Sequence, residues 1–205
     1  MSPRVLLLCG FACLPLSACG TTSGKRASVA SAERPAPIFD ATAFVPAGFE
    51  LLRVERGDLN ADGIADALVV ATRSAESPEA DSAPRALSIV TSRPDGAYAL
   101  SAVNTGLAAC ATCGGRFGDG LVRTTIRDGA IVVVNEGGSA RYGWSNEYTF
   151  KLDADGERWL LRQYRAVVAS QPDQKFKRID QSPADFGDRS FEGLTPEDLP
   201  IPKFD

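Results

Sequence analysis

The stretch V-R-T-T-I-R-D-G-A-I-V-V-V-N, residues 122–135, reads as two β-runs meeting at Asp128-Gly129. Asp-Gly suits the central positions of a type I′ turn, where both residues need positive φ. The twist of that turn matches the right-handed twist of the strands it joins. The predicted strands are Val122–Arg127 and Ala130–Asn135. Ile131-Val132-Val133-Val134 has no polar alternation, so the second strand is expected to be covered on both faces.

The same grammar recurs on either side. Leu51–Arg56 and Ala67–Thr72 flank an acidic loop. Ala86–Ser92 and Ala97–Val103 flank Arg93-Pro94-Asp95-Gly96, and Glu147–Leu152 and Arg158–Val168 flank Asp153-Ala154-Asp155-Gly156. Helical periodicity is scarce. Four successive hairpins predict an all-β fold of about eight mostly antiparallel strands, most of them alternating, in a curled sheet or a two-sheet sandwich. No full-length internal repeat is present. The unit resembles a propeller blade without the repetition that closes a propeller.

The amino-terminal end reads differently. Met1-Ser2-Pro3-Arg4 carries one positive charge, and Val5 to Leu16 is almost wholly apolar. These are the two parts of a secretory signal, and the run is too short to span a bilayer as a helix. It ends in Leu16-Ser17-Ala18-Cys19-Gly20, which resembles the lipobox of bacterial lipoproteins. That resemblance implies cleavage after residue 18, diacylglycerol on Cys19, and attachment of the protein to a membrane through that lipid. Gly20, where an acidic residue would signal retention in the inner membrane, implies the outer membrane with the body facing the periplasm. Residues 19–37 are small, polar and proline-ended, which reads as a flexible tether. The β-domain is expected over 38–187, and the proline-rich segment 188–205 as an extended or frayed tail.

Cysteine usage fits an oxidising compartment. Of five cysteines, Cys9 and Cys13 leave with the signal and Cys19 is the lipid site, so Cys110 and Cys113 remain as a pair. A small structural disulfide is the expectation. The alternative is thiol redox chemistry at C-A-T-C, although glycines and β-sequence follow it where a thioredoxin-like motif opens a helix. The chain contains no histidine. That removes Ser-His-Asp triads, histidine bases and histidine metal ligands together. A formal net charge of −4 is unlike the basic footprint of a nucleic-acid binder.

The first hairpin loop carries the densest chemistry. In G-D-L-N-A-D-G-I-A-D, residues 57–66, Asp58, Asn60, Asp62, the Ile64 carbonyl and Asp66 fall on alternate positions, and Gly63 permits a sharp bend. Hard cations such as Ca²⁺ take six to eight oxygens, which such a loop can supply. Val69 stands where an EF-hand needs its bidentate Glu, and a β-run follows instead of a helix. The motif resembles the calcium loop of FG-GAP (integrin-α-like) and VCBS-type repeats, D-x-[DN]-x-D-G-x-x-D between two strands. The resemblance covers about residues 51–71 and implies one structural Ca²⁺ at an affinity of about 10⁻⁴–10⁻³ M. In the second acidic turn, Leu161 occupies the position where the last acid would be needed, so that loop reads as a turn without metal.

Arg141, Tyr142 and Trp144, beyond Gly137-Gly138-Ser139, are either a stacking surface for a sugar or peptide or the cover of a sheet edge. Together with C-A-T-C-G-G, Y-T-F-K and A-D-F-G, these motifs resemble a group of uncharacterised secreted or lipid-anchored bacterial proteins. The expectation is a lipid-anchored envelope module that binds a protein or glycan partner and carries one structural calcium, with no catalytic residue identified. A metal-assisted envelope hydrolase is the competing reading, favoured by a concave pocket beside Asp58 and Asp66.

Overall fold

A computed structural model describes residues 38–172 and 174–203. The signal, Cys19 and the tether of residues 1–37 lie outside the described residues. Among the described residues nine strands follow one another: β1 Phe49–Gly57, β2 Asp66–Arg73, β3 Arg85–Ser92, β4 Tyr98–Ala108, β5 Leu121–Arg127, β6 Ala130–Gly138, β7 Tyr142–Leu152, β8 Trp159–Ser170 and β9 Lys175–Gln181. They form two antiparallel sheets, β1-β2-β3-β4 and β5-β6-β7-β8-β9. Neither closes into a barrel, and every pairing joins neighbours in sequence. The eight expected strands are all present. β9 was not foreseen: K-F-K-R-I-D-Q is a solvated edge strand whose charges and exposed Phe176 hide its period from a hydrophobic reading.

The β5–β6 turn has the expected handedness, with Asp128 at φ 52° and Gly129 at φ 67°. Ile131 to Val134 are all buried, as the missing alternation implied. β2 and β3 depart from expectation, because they do not alternate either: Asp66–Ala71 and Arg85–Val90 are buried throughout. The outer face of this sheet has its own small cluster, Ala67, Val69 and Val90, covered by Phe39, Phe44, Val45 and Tyr98. The segment before β1 therefore supplies a cover that the strand sequence could not reveal. Arg56 caps it, its guanidinium 4.5 Å from the Phe39 ring centroid.

The main core lies between the sheets. Leu68, Val70, Leu87 and Ile89 face Ile131, Val133, Tyr148 and Phe150 across it. β8 brings Trp159, Leu161, Tyr164 and Ala166 to the same side, although their spacing changes parity. The pairing with β7 slips between Thr149 and Phe150, and the extra residue of this β-bulge returns Tyr164 to the core face. Along one side the sheets meet at their edges. Arg53 on β1 donates through Nε to Thr124 Oγ1 on β5 at 3.2 Å, and that hydroxyl donates to Glu55 at 3.0 Å.

The carboxy-terminal segment is extended, but it is a structural member and not a frayed end. A one-turn helix, α1 Pro183–Phe186, starts at Ser182, whose N–H donates to Asp185 Oδ2 at 2.8 Å. The chain then runs along the first half of β8, where β9 has ended. Leu161 N donates to the Arg189 carbonyl and Phe191 N to that of Trp159. Phe191, Leu194 and Leu199 are buried in the core, and the Phe191 ring meets Phe150 edge-on at 5.1 Å. Buried Asn104 on β4 fastens this strap: its Nδ2 donates to the carbonyls of Phe191 and Leu194, and its Oδ1 accepts from Gly106 and Leu107 N–H. All four hydrogen-bonding positions of that amide are used, which a buried amide requires.

Candidate functional site

The acidic loop between β1 and β2 folds around Asp58. Its Oδ1 accepts from Asn60 N and Ala61 N, and its Oδ2 accepts from Gly63 N at 2.9 Å. Asn60 Oδ1 takes the N–H of Asp62, and Asp62 Oδ1 takes that of Ile64 at 2.7 Å. Gly63 sits at φ 82°, as the bend requires, and Ala61 is also left-handed at φ 63°. A left-handed alanine costs about 1–2 kcal/mol, so the local bonds hold a strained turn.

Asp66 behaves differently. It is fully buried at the start of β2, with Oδ2 accepting from Leu59 N and Oδ1 from Ser92 N, both at 2.8 Å. It ties the loop to β3, while Leu59 inserts its side chain into the main core. Burial pushes its pKa up, the two amides oppose that, and the charges of Asp62 and Asp58 add to the rise. Asp58, Asn60, Asp62, Ile64 and Asp66 thus share one loop with all-oxygen donor chemistry, the kind that suits a hard cation. Their arrangement fits only in part. Among the described residues, no three or more acids, cysteines or histidines stand together as a metal-binding group. Asp66 is turned beneath the tip onto backbone amides.

A hollow of about 380 Å³ borders Asp58, walled by Ile126, Arg127 and Asp128 from the β5–β6 turn. Asp66 does not line it. This hollow therefore does not bring Asp58 and Asp66 together.

The second acidic turn is simple. Asp153 Oδ1 accepts from Glu157 N and Arg158 N, and Arg158 Nε lies 3.3 Å from its Oδ2. The two backbone N–H groups first, then the Arg158 side chain, hold the Asp153 pKa below the usual carboxylate value.

Cys110 and Cys113 are bonded to each other. Cys110 is buried and Cys113 exposed, in a run of turns between β4 and β5. No helix follows the pair, so the device that lowers a thiol pKa in thioredoxin-like motifs is missing here. The disulfide shapes a loop that lies back on the end of β6. Gly114 and Gly115 reach Gly138 backbone to backbone, with Gly138 N donating to the Gly114 carbonyl and Arg116 N to that of Gly138. A side chain on Gly115 would collide with the Gly138 carbonyl. Arg85, 4 % exposed, ties down the far end of the loop: it donates through both terminal nitrogens to Asp119 and through one of them to the Ala109 carbonyl. Burial is the largest single influence and would raise the Asp119 pKa, but the Arg85 bonds, the Leu121 N–H and the charges of Arg85 and Arg53 together lower it.

The loop forms one wall of a pocket of about 670 Å³. The strap, through Thr195 to Pro202, forms the opposite wall, and Trp144, Asn135, Asn146 and Val168 of the second sheet form the floor. Asn135 accepts from Ala109 N at 3.0 Å and donates to the Leu107 carbonyl at 2.8 Å, which fixes the end of β4 over that floor. The Trp144 indole lies across Gly137 on the neighbouring strand, where any Cβ would sit 2.5 Å from the ring. Tyr148 is fully buried beside this floor. Among the described residues its hydroxyl makes no hydrogen bond of good geometry, although the side chains of Asn146 and Asn135 approach it closely enough to oppose the rise in its pKa. Burial raises its pKa well above the ordinary value.

Arg141 and Tyr142 are exposed at the β6–β7 tip, whereas Trp144 is half-buried in the pocket. The sequence pointed to Trp144 and to both cysteines without placing them together. It gave no sign of Asn135, Asn146, Tyr148 or the strap, whose shared location depends on long-range pairing. No family model, curated protein or solved structure matches this chain, so its function rests on its own residues.

Proposed function

We propose that this chain is a binding module of the bacterial envelope, held to the outer membrane by a lipid on Cys19 and stiffened by one Ca²⁺ in its first hairpin loop. The observation that carries the binding role is the pocket between the disulfide loop and the strap. It falls in the size range of small-molecule sites, and a few polar groups are set among mostly apolar walls. Its lining contains one titrating side chain, Glu197, because both cysteines are bonded to each other. General acid–base chemistry on a bound molecule ordinarily uses a positioned pair, so this lining supports binding over hydrolysis.

Calcium would be held by Asp58, Asn60, Asp62, the Ile64 carbonyl and Asp66. Each carboxylate oxygen that accepts one backbone N–H keeps a further lone pair for a ligand. The ion would offset the mutual repulsion of the three acids, which no described basic side chain pairs with. Anchoring is tested by growing cells with a palmitate analogue that can be tagged. The wild-type chain should carry the label in the outer-membrane fraction, and Cys19→Ser should lose both label and membrane association. An unlabelled wild-type chain ends the anchored reading.

A further inference from the structure

We propose that the Cys110–Cys113 disulfide is a redox latch on the pocket, opened at Cys113 by a dithiol reductant while the sandwich stays folded. This deepens the binding-module reading and rests on it, because the walls the bond holds are those of the proposed site. Both cysteines lie in the β4–β5 connection, three residues apart, so the bond ties no two strands together. So short a ring removes little chain entropy from the unfolded state and is a poor staple for the fold. The neck of the loop is fastened without it. Ala109 N donates to Asn135, Leu121 N donates to Asp119, and Asp119 receives Arg85. What the bond does shape is the pocket. Cys110 and Cys113 line it, and Thr112 between them holds the neighbouring β2–β3 connection, donating through N at 3.2 Å and Oγ1 at 2.9 Å to the Asp81 carbonyl. Pro84, at the end of that connection, lines the pocket too. One bond therefore sets two walls.

The two sulphurs are unequal. Cys110 is 2 % exposed and Cys113 is exposed, so a thiolate reaches the bond from the Cys113 side. Exposed disulfides belong to the labile class. Attack there forms a mixed disulfide on Cys113 and expels Cys110 as a thiolate, which takes up a proton. The second thiol of the reductant then attacks its own sulphur in the mixed bond and releases Cys113 as a thiol. Two electrons have passed, and the dithiol leaves as a disulfide. The Thr112 hydroxyl lies 3.6 Å from Cys110 Sγ and spends its one proton on the Asp81 carbonyl. A Cys110 thiolate is a charged acceptor that competes for that proton and frees the second wall. With no helix at the pair to activate a thiol, the pair is acted upon and does not itself drive exchange.

The full chain carrying Cys9→Ser, Cys13→Ser and Cys19→Ser, which leaves one pair, is treated with reduced glutathione in chelator and without denaturant. The bond should open, and a trapped glutathione adduct should map to Cys113. Amide exchange should then quicken about tenfold at Thr112, Cys113 and Gly120, whose N–H groups bond to the Asp81 and Cys110 carbonyls. It should stay unchanged at Ala109, at Leu121 and across the β6–β7 pairing. Adding Cys110→Ser and Cys113→Ser should reproduce that pattern with no reductant. The neutral dye Nile red should bind the oxidised chain about fivefold more tightly than the reduced one, because loosened walls must be ordered again on binding. A bond that resists glutathione until the chain is denatured overturns the latch, as does an adduct on Cys110. Loss of exchange protection throughout both sheets on reduction would make the bond a staple and overturns it as well. Dye bound equally by both forms overturns control of the pocket. Dye bound by neither form sinks the binding-module reading, while glutathione and amide exchange still decide the latch.

Discussion

The two acidic hairpin tips solve the same problem by different means. At residues 153–158 one turn acid meets two backbone amides and the Arg158 side chain, so its charge is matched within six residues. At residues 58–66 Asp58 and Asp62 stand at the tip with Asp66 buried beneath it, and backbone amides alone receive Asp58 and Asp66. In the first turn Asp153 has a side-chain cation of its own, although Asp155 and Glu157 leave the stretch net negative. The second is geometrically complete but carries surplus negative charge, and it is fixed to the body from below by Asp66 and Leu59. An acid paired with a built-in cation has its charge partly offset; an acid held by amides alone keeps its charge available for an external ion.

Four experiments would break or sharpen that contrast. Asp66→Ala leaves the buried Leu59 and Ser92 N–H groups without an acceptor and should cost about 3 kcal/mol or more in urea unfolding. Asp153→Ala should cost clearly less, and equal losses would show that Asp66 is no anchor. Next, 10 mM Ca²⁺ at the expected affinity stabilises the wild type by about 1.4–2.7 kcal/mol. That should raise its melting temperature by about 3–10 °C. Asp58→Asn with Asp62→Asn should abolish the rise, and Asp155→Asn should not. A wild type indifferent to calcium would leave the amides as the loop's whole support.

The third experiment uses acid. The folded pKa of Asp153 lies below its ordinary value of 3.8, so its contribution is complete above that value and is lost as pH falls through the folded pKa. Asp119 has the same sign. The unfolding midpoint should therefore fall below about pH 4, less steeply in Asp153→Asn and Asp119→Asn than in the wild type. A parallel decline in all three would show that these bonds do not set the acid limit. The smallest effect belongs to Arg158→Ala. Arg158 is exposed, and two backbone N–H groups still hold the covered Asp153 carboxylate, so this change should alter stability little, yet it removes the internal cation and leaves the calcium response of the other loop untouched. Any new calcium response would then report a second site at Asp153 and Asp155.

What the sequence made legible was local. Asp128-Gly129 fixed a hairpin because a two-residue turn with positive φ has few chemical solutions, and the runs around it set strand positions to within a few residues. The unforeseen parts depend on distance. β2 and β3 read as strands, but their second face is closed by Phe39 and Phe44, which no periodicity within those strands announces. Asn104 and Asn135 resemble turn residues in one dimension and are buried clamps in three. Cys110, Trp144 and Glu197 are far apart in sequence and share a pocket only because β4, β7 and the strap converge. For the acidic loop, residue types could be read directly, but the inward turn of Asp66 could not, since it depends on Ser92 from another strand.

The burial of Phe191, Leu194 and Leu199 has a consequence for biogenesis. A nascent chain that has made both sheets still lacks the side chains that seal the space between them, and truncating Phe191 alone should cost about 3–5 kcal/mol. Stable closure must wait until residues near 199 have been synthesised. If the chain is exported unfolded, this late closure favours it: the polypeptide stays open for threading through a translocase and locks only after its last core residues have crossed.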